Sequence, residues 1–230
     1  MNNILSDSLF FGVAISIAAY YCGNLLKNKF KLAIFNPLLL SILFIILFLS
    51  VFHIDYEVYQ AGAKFSEYLL TPATVCLAIP LYQQLNLLKK HKTAIIAGIT
   101  SGVLASHISI LGLCAFFHLS HEEYVTLLPK SITTAIGIDL STELGGYPTI
   151  TVATIIITGI IGNMTAPFIC KLFKIKEPIA VGLAIGTSSH AMGTAKALEL
   201  GEIEGAMSSL SIAVAGLMTV LASAVFAHFY

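Results

Sequence analysis

Apolar residues in this chain gather into long blocks joined by short polar connections. The blocks 9–26, 37–52, 93–117, 149–170 and 206–229 are almost free of charge, and 69–88 forms a sixth. About 18 or more apolar residues in helical form cross a hydrocarbon core of about 30 Å. Backbone groups in lipid must be paired within their own segment, so each block is expected to be a helix. Two other segments, 127–144 and 178–200, are too polar for ordinary spans. Both are expected to dip into the membrane and return to the side they entered from. The segment 55–69, with Glu57, Lys64 and Glu67, is expected to be an amphipathic surface helix or the outer half of a broken span.

Composition excludes a water-soluble domain. Hydrophobic residues make up 57% of the 230, charged residues 10%, and mean hydropathy is +0.90. Formal charge is zero, and all 12 basic residues are lysine. Nine of them fall in three places: Lys27, Lys29 and Lys31; Lys89, Lys90 and Lys92; Lys171, Lys174 and Lys176. Cytoplasmic loops carry an excess of such residues, which puts all three on one side and makes a nucleic-acid surface unnecessary. Asn2, Asn3 and Asp7 precede the first block, and no small-residue cleavage site follows it, so that block is expected to be a span and not a removable signal. Cys22, Cys76, Cys114 and Cys170 are too scattered to clip a metal or form a redox pair.

Three segments share the pattern P-x5-A-I-(P/G), starting at Pro72, Pro129 and Pro178, with breaks expected at Pro80, Gly137 and Gly186. At the first offset the match continues, because 101–105 lines up with 158–162. Each unit has one net crossing, so neighbours would be inverted, as in many secondary transporters. The expected fold class is therefore an all-α integral membrane protein with about six full transmembrane helices, two re-entrant or broken segments and inverted-type repeats. It would form a single domain over 1–230, with a two-helix part at 1–53 and a repeat-containing core at 54–230.

Chemistry-bearing residues concentrate in the polar segments. A break at Gly186 would start a new helix near Thr187 or Ser188 and turn its free N–H groups toward an anion. Thr187, Ser188, Ser189 and Thr194 add hydroxyls, His190 an imidazole and Lys196 an ammonium. From the other segment come Lys130, Ser131, Thr133, Thr134 and Asp139. His190 or Asp139 would couple movement of the anion to a proton. Each residue also has a structural alternative. His190 suits a hydrogen-bonded core, Asp139 the headgroup surface, and Lys130 and Lys196 snorkelling to an interface. Asn163, also a ligand candidate, suits a helix-to-helix hydrogen bond. Glycines four apart, such as Gly98 and Gly102, are read as packing, within one bundle or between copies. Catalysis is disfavoured: Ser189 and His190 are adjacent and diverge by about 100° on a helix, and no nucleophile elbow or zinc-protease helix occurs. No metal or cofactor is expected.

The segments 70–82, 128–134, Gly145-Gly146, 158–162 and above all Gly186-Thr-Ser-Ser-His190-Ala-Met-Gly-Thr194-Ala-Lys196-Ala197 resemble the LrgB/CidB family over most of the chain. This chain has Ala135 and Gly137 where the family pattern runs Thr-Thr-Pro-Ile-Ala, leaving Gly137 to supply the flexibility. The resemblance implies a multi-pass protein of the bacterial cytoplasmic membrane with a small holin-like partner of the LrgA/CidA kind. It also implies similarity to the plastid glycolate/glycerate translocator. The leading expectation is a carrier for small monocarboxylates of the pyruvate, glycolate or glycerate type. The alternative is an antiholin-like regulator that acts with the partner on murein hydrolase export and cell lysis.

Overall fold

The computed structural model describes residues 10–30 and 35–230, so Asn2, Asn3, Asp7 and Lys31 lie outside the described residues. The described chain is helical and has no strands. It divides into two compact units, Met1–Cys76 and Leu77–Tyr230. The sequence division at residue 53 falls inside the first of these.

The first unit holds α1 (Phe11–Phe30), α2 (Pro37–Val51), α3 (Tyr56–Glu67) and α4 (Leu70–Cys76). Asn36 starts α2 by accepting hydrogen bonds from the backbone N–H of Leu38 and Leu39 at 2.9 and 3.2 Å, ahead of Pro37 at the first turn. Gly12 of α1 and Gly62 of α3 bring the two backbones into contact, and Ser16 Oγ meets the Tyr59 hydroxyl at 2.9 Å.

The second unit holds α5 (Ala78–Gln83), α6 (Leu85–Lys90), α7 (Lys92–Phe117), α8 (His121–Leu127), α9 (Thr134–Glu143), α10 (Pro148–Leu172), α11 (Pro178–Leu200) and α12 (Glu202–Phe226), closed by a 3₁₀ turn at Ala227–Phe229. Among the described residues, α7, α10 and α12 with its 3₁₀ extension are long and apolar enough to cross a membrane. The block 69–88 is not one rod but the succession α4, α5 and α6.

Hydroxyls and small residues join these helices. His107 of α7 donates from Nδ1 to the Val103 carbonyl at 2.9 Å, and its Nε2 meets Ser223 Oγ of α12 at 2.9 Å. A carbonyl only accepts, so the neutral ring carries its proton on Nδ1 and Ser223 donates to Nε2. Gly182 and Gly186 of α11 lie against the α12 backbone at Glu204 and Ser208, where an added Cβ would collide. Thr151 Oγ1 of α10 donates to the Thr126 carbonyl (3.0 Å) and accepts from the Ser141 hydroxyl (2.7 Å), and Thr126 Oγ1 accepts from Tyr147 N at 2.7 Å. That knot ties α8, α9 and α10 at the Gly145-Gly146 turn. A Cβ on Gly146 would press into it, 2.7 Å from Ser141 Oγ and 2.8 Å from Thr126 Oγ1.

Candidate functional site

Both polar segments are interrupted, but not where the glycines suggest. α11 breaks at His190, whose φ of 42° and ψ of −140° are non-helical, while Gly186 stays helical. Gly186 is a contact surface for α12, and helix continues through it because its small size is already used in packing. In the other segment the interruption is the turn at 128–133, before α9, and Gly137 is a helical residue against the Ile155 side chain. The expected breaks at Gly186 and Gly137 are thus corrected to His190 and to the turn around Pro129.

The His190 break is held from α10. Its Nε2 donates to the Ile155 carbonyl at 3.1 Å. Gly159 makes room for the imidazole and for Met192, and Gly162 for Ser189. Asn163 Nδ2 donates to the Met192 carbonyl at 2.7 Å, fastening the first turn after the break. Thr194 Oγ1 donates to the His190 carbonyl at 3.0 Å and lies 2.7 Å from Ser208 Oγ of α12. His190, Thr194 and Asn163 therefore make protein-to-protein hydrogen bonds, and Ser189 Oγ lies 3.0 Å from Ser188 Oγ.

A different part of the predicted set surrounds open space. A cavity of about 1020 Å³ lies between α7, the first half of α11 and the 128–133 turn, and Lys130, Ser131, Thr187 and Ser188 all line it. Its α7 wall consists of small residues at helical spacing, Ala94, Gly98, Ser101, Gly102, Ala105 and Ser109. This wall runs roughly 22 Å along the helix axis. His91 and Glu177 line the cavity near the starts of α7 and α11. Lys130 Nζ donates to Ser131 Oγ at 3.1 Å. Two hydroxyls on the wall, Ser106 Oγ and Thr187 Oγ1, are buried and have no protein partner.

The remaining candidates lie elsewhere. Thr133 is the N-cap of α9 without a side-chain cap bond, and Thr134 follows it. Asp139 is exposed on α9. Lys196 pairs with Glu199 at 2.8 Å on the surface. Ser106 is not among the sequence candidates, although it continues the Gly98 and Gly102 spacing by four residues and lies between Ser101 and Ser109 on the same wall. The glycine spacing on α7 serves packing: a Cβ on Gly98 would touch the Leu183 side chain and one on Gly102 would collide with that of Thr187, so α7 and α11 approach closely beside the cavity.

An all-helical membrane protein with a broken helix braced by a histidine, beside a cavity edged with hydroxyls and one ammonium, is the class that fold and site define. Within that class the chain belongs to the LrgB-like family, which residues 16–229 match. Proteins named antiholin-like protein LrgB from Bacillus cereus (strain B4264) and Bacillus anthracis (strain A0248) are each 37% identical to it over 221 residues, covering 96% of both chains. No solved structure matches the chain.

Proposed function

We propose that this chain is an antiholin-like regulator in the bacterial cytoplasmic membrane, acting with a small holin-like partner of the LrgA/CidA kind to restrain murein hydrolase export and lysis. Its similarity to antiholin-like proteins over 96% of each chain carries this reading and favours it over the carrier expected first from sequence. On this reading α1 and α2 join the three long apolar helices as spans, the block 69–88 makes a further, broken crossing, the 128–133 turn and α11 are re-entrant or broken, and the lysine clusters face the cytoplasm. The test is expression, with and without the partner, in a bacterium deleted for its own relatives. Extracellular murein hydrolase activity and the rate of induced lysis should both fall. Unchanged values in both strains would overturn the reading.

A second reading, a carrier for small monocarboxylates, is favoured by one observation. Lys130, Thr187 and Ser106 bring an ammonium and two unpartnered hydroxyls to the wall of one cavity. A carboxylate in the cavity would accept from the Lys130 ammonium, and charge-assisted hydrogen bonds are the stronger kind. Proteoliposomes given labelled pyruvate, glycolate or glycerate test it. Saturable uptake above empty vesicles supports a carrier, and no uptake of any of the three, with or without the partner, removes it.

A further inference from the structure

The loop after α10 contains a hollow that neither proposed function uses. α10 ends in a Schellman-type turn, in which Ile175 N donates to the Cys170 carbonyl at 2.8 Å and Lys174 N to the Lys171 carbonyl at 3.2 Å. Ile175 then packs against the buried cluster that contains Cys170 and Val181. The left-handed position of such a turn usually belongs to glycine, yet here Lys174 occupies it, with φ 56°. With Ile175 turned inward, Lys171, Lys174 and Lys176 border a hollow of about 370 Å³. Pro167, Cys170, Val181 and Leu200 also line it, and Glu204 contributes its single carboxylate. Three ammoniums against one carboxylate leave the rim strongly positive.

We propose that this hollow binds the headgroup of an anionic phospholipid of the phosphatidylglycerol type. The phosphodiester would accept hydrogen bonds from the lysines, a glycerol hydroxyl would donate to Glu204, and the start of the acyl chains would cover the apolar lining. Basic pockets at the ends of membrane helices suit such headgroups, and a lysine near an anionic bilayer surface adds to the attraction. A soluble phosphate would leave the apolar lining uncovered and meet Glu204 as a like charge. A zwitterionic lipid brings its own cation against three lysines. Lipid is the occupant that uses the whole lining.

The test is native mass spectrometry of the purified full chain, equilibrated with equal amounts of phosphatidylglycerol, phosphatidylethanolamine and phosphatidylcholine in detergent. Phosphatidylglycerol should be retained at least fivefold over the other two. K171Q/K174Q/K176Q should lose that preference, and K89Q/K90Q/K92Q should keep it. K174G removes one charge while relieving the left-handed backbone, so it should lower retention about twofold with thermal stability equal or higher. This guards against mistaking misfolding for lost binding. Equal retention of the three lipids, or an unchanged preference in the 171–176 variant, overturns the proposal. So does equal thermal stabilisation by inorganic phosphate or soluble glycerol phosphate, which would make the hollow a site for free anions.

Discussion

His190 Nε2 donates to the carbonyl of Ile155 across 3.1 Å, so the one non-helical residue of α11 is anchored to the first third of α10. Thirty-five residues separate the pair in sequence. The bond explains how a non-glycine residue keeps a positive φ, because the neighbouring helix over-determines the conformation. Thr194 and Asn163 reinforce it from the next turn and from α10.

Replacing His190 by alanine or by glycine removes the ring and its bond equally, but only alanine must still hold a φ of 42° against its Cβ. The glycine variant should therefore be the more stable by about 1 kcal/mol. Thermal unfolding of the two in the same detergent measures it. Coincident midpoints would show that the backbone at 190 relaxes once the ring is gone.

Gly162 and Gly112 make a second contrast. A Cβ on Gly162 would run into the Ser189 side chain, whereas one on Gly112 of α7 meets nothing within 4 Å. Gly162→Ala should cost about 1–3 kcal/mol by overpacking the break. Gly112→Ala should be neutral or stabilise by up to about 1 kcal/mol, from helix propensity alone. Unfolding midpoints for the two variants read the difference directly, and equal shifts would mean α10 is not the brace.

These glycines also show what the sequence could and could not reveal. The long apolar blocks of α7, α10 and α12 were legible because burial in lipid needs no partner to be specified. The polar segments were legible as interrupted, since hydroxyls, histidine and lysine crowd into 128–134 and 186–196. The positions of the breaks were not legible. A glycine weakens a helix in isolation, but Gly137 and Gly186 are absorbed by neighbours, Ile155 in one case and the α12 backbone in the other. His190 breaks the helix through contacts that exist only once α10 is beside it. Of the candidate site, Lys130, Ser131, Thr187 and Ser188 share a cavity. Ser106 joins them from the small-residue stripe of α7, whose spacing marks a packing face but not which helix or cavity it meets. The repeat-related Gly102 and Gly159 both face α11, at Thr187 and at His190. Their aligned positions thus correspond to matched contacts on one helix.

The carrier reading yields a prediction that separates cavity residues from those merely near in sequence. In proteoliposomes, Lys130→Gln should cut saturable uptake about 10- to 100-fold, the loss expected for a hydrogen bond to a charged group. Thr187→Val should lower it by a smaller factor, and Asp139→Asn and Lys196→Gln should leave it unchanged. The exposure of Asp139 and the pairing of Lys196 with Glu199 motivate the last two. Loss of uptake in all four variants alike would point to a fold-wide effect and away from this cavity.

The final prediction concerns the pair Thr194 and Ser208, which joins the second half of α11 to α12. Thr194 has one hydroxyl proton, and it is committed to the His190 carbonyl at 3.0 Å. Across the 2.7 Å contact Ser208 must therefore be the donor and Thr194 the acceptor. Thr194→Val loses both bonds, whereas Ser208→Ala loses only the one between helices and leaves Thr194 donating to His190. Thr194→Val should accordingly be the more destabilising. A double-mutant cycle isolates the shared bond, because the His190 contribution cancels between its two arms. Hydrogen bonds between membrane helices couple by about 0.6 kcal/mol on average and up to about 1.7. With both groups fully buried, the coupling should fall in the upper part of that range. Zero coupling would mean that Ser208 donates elsewhere and that Thr194 serves the His190 break alone.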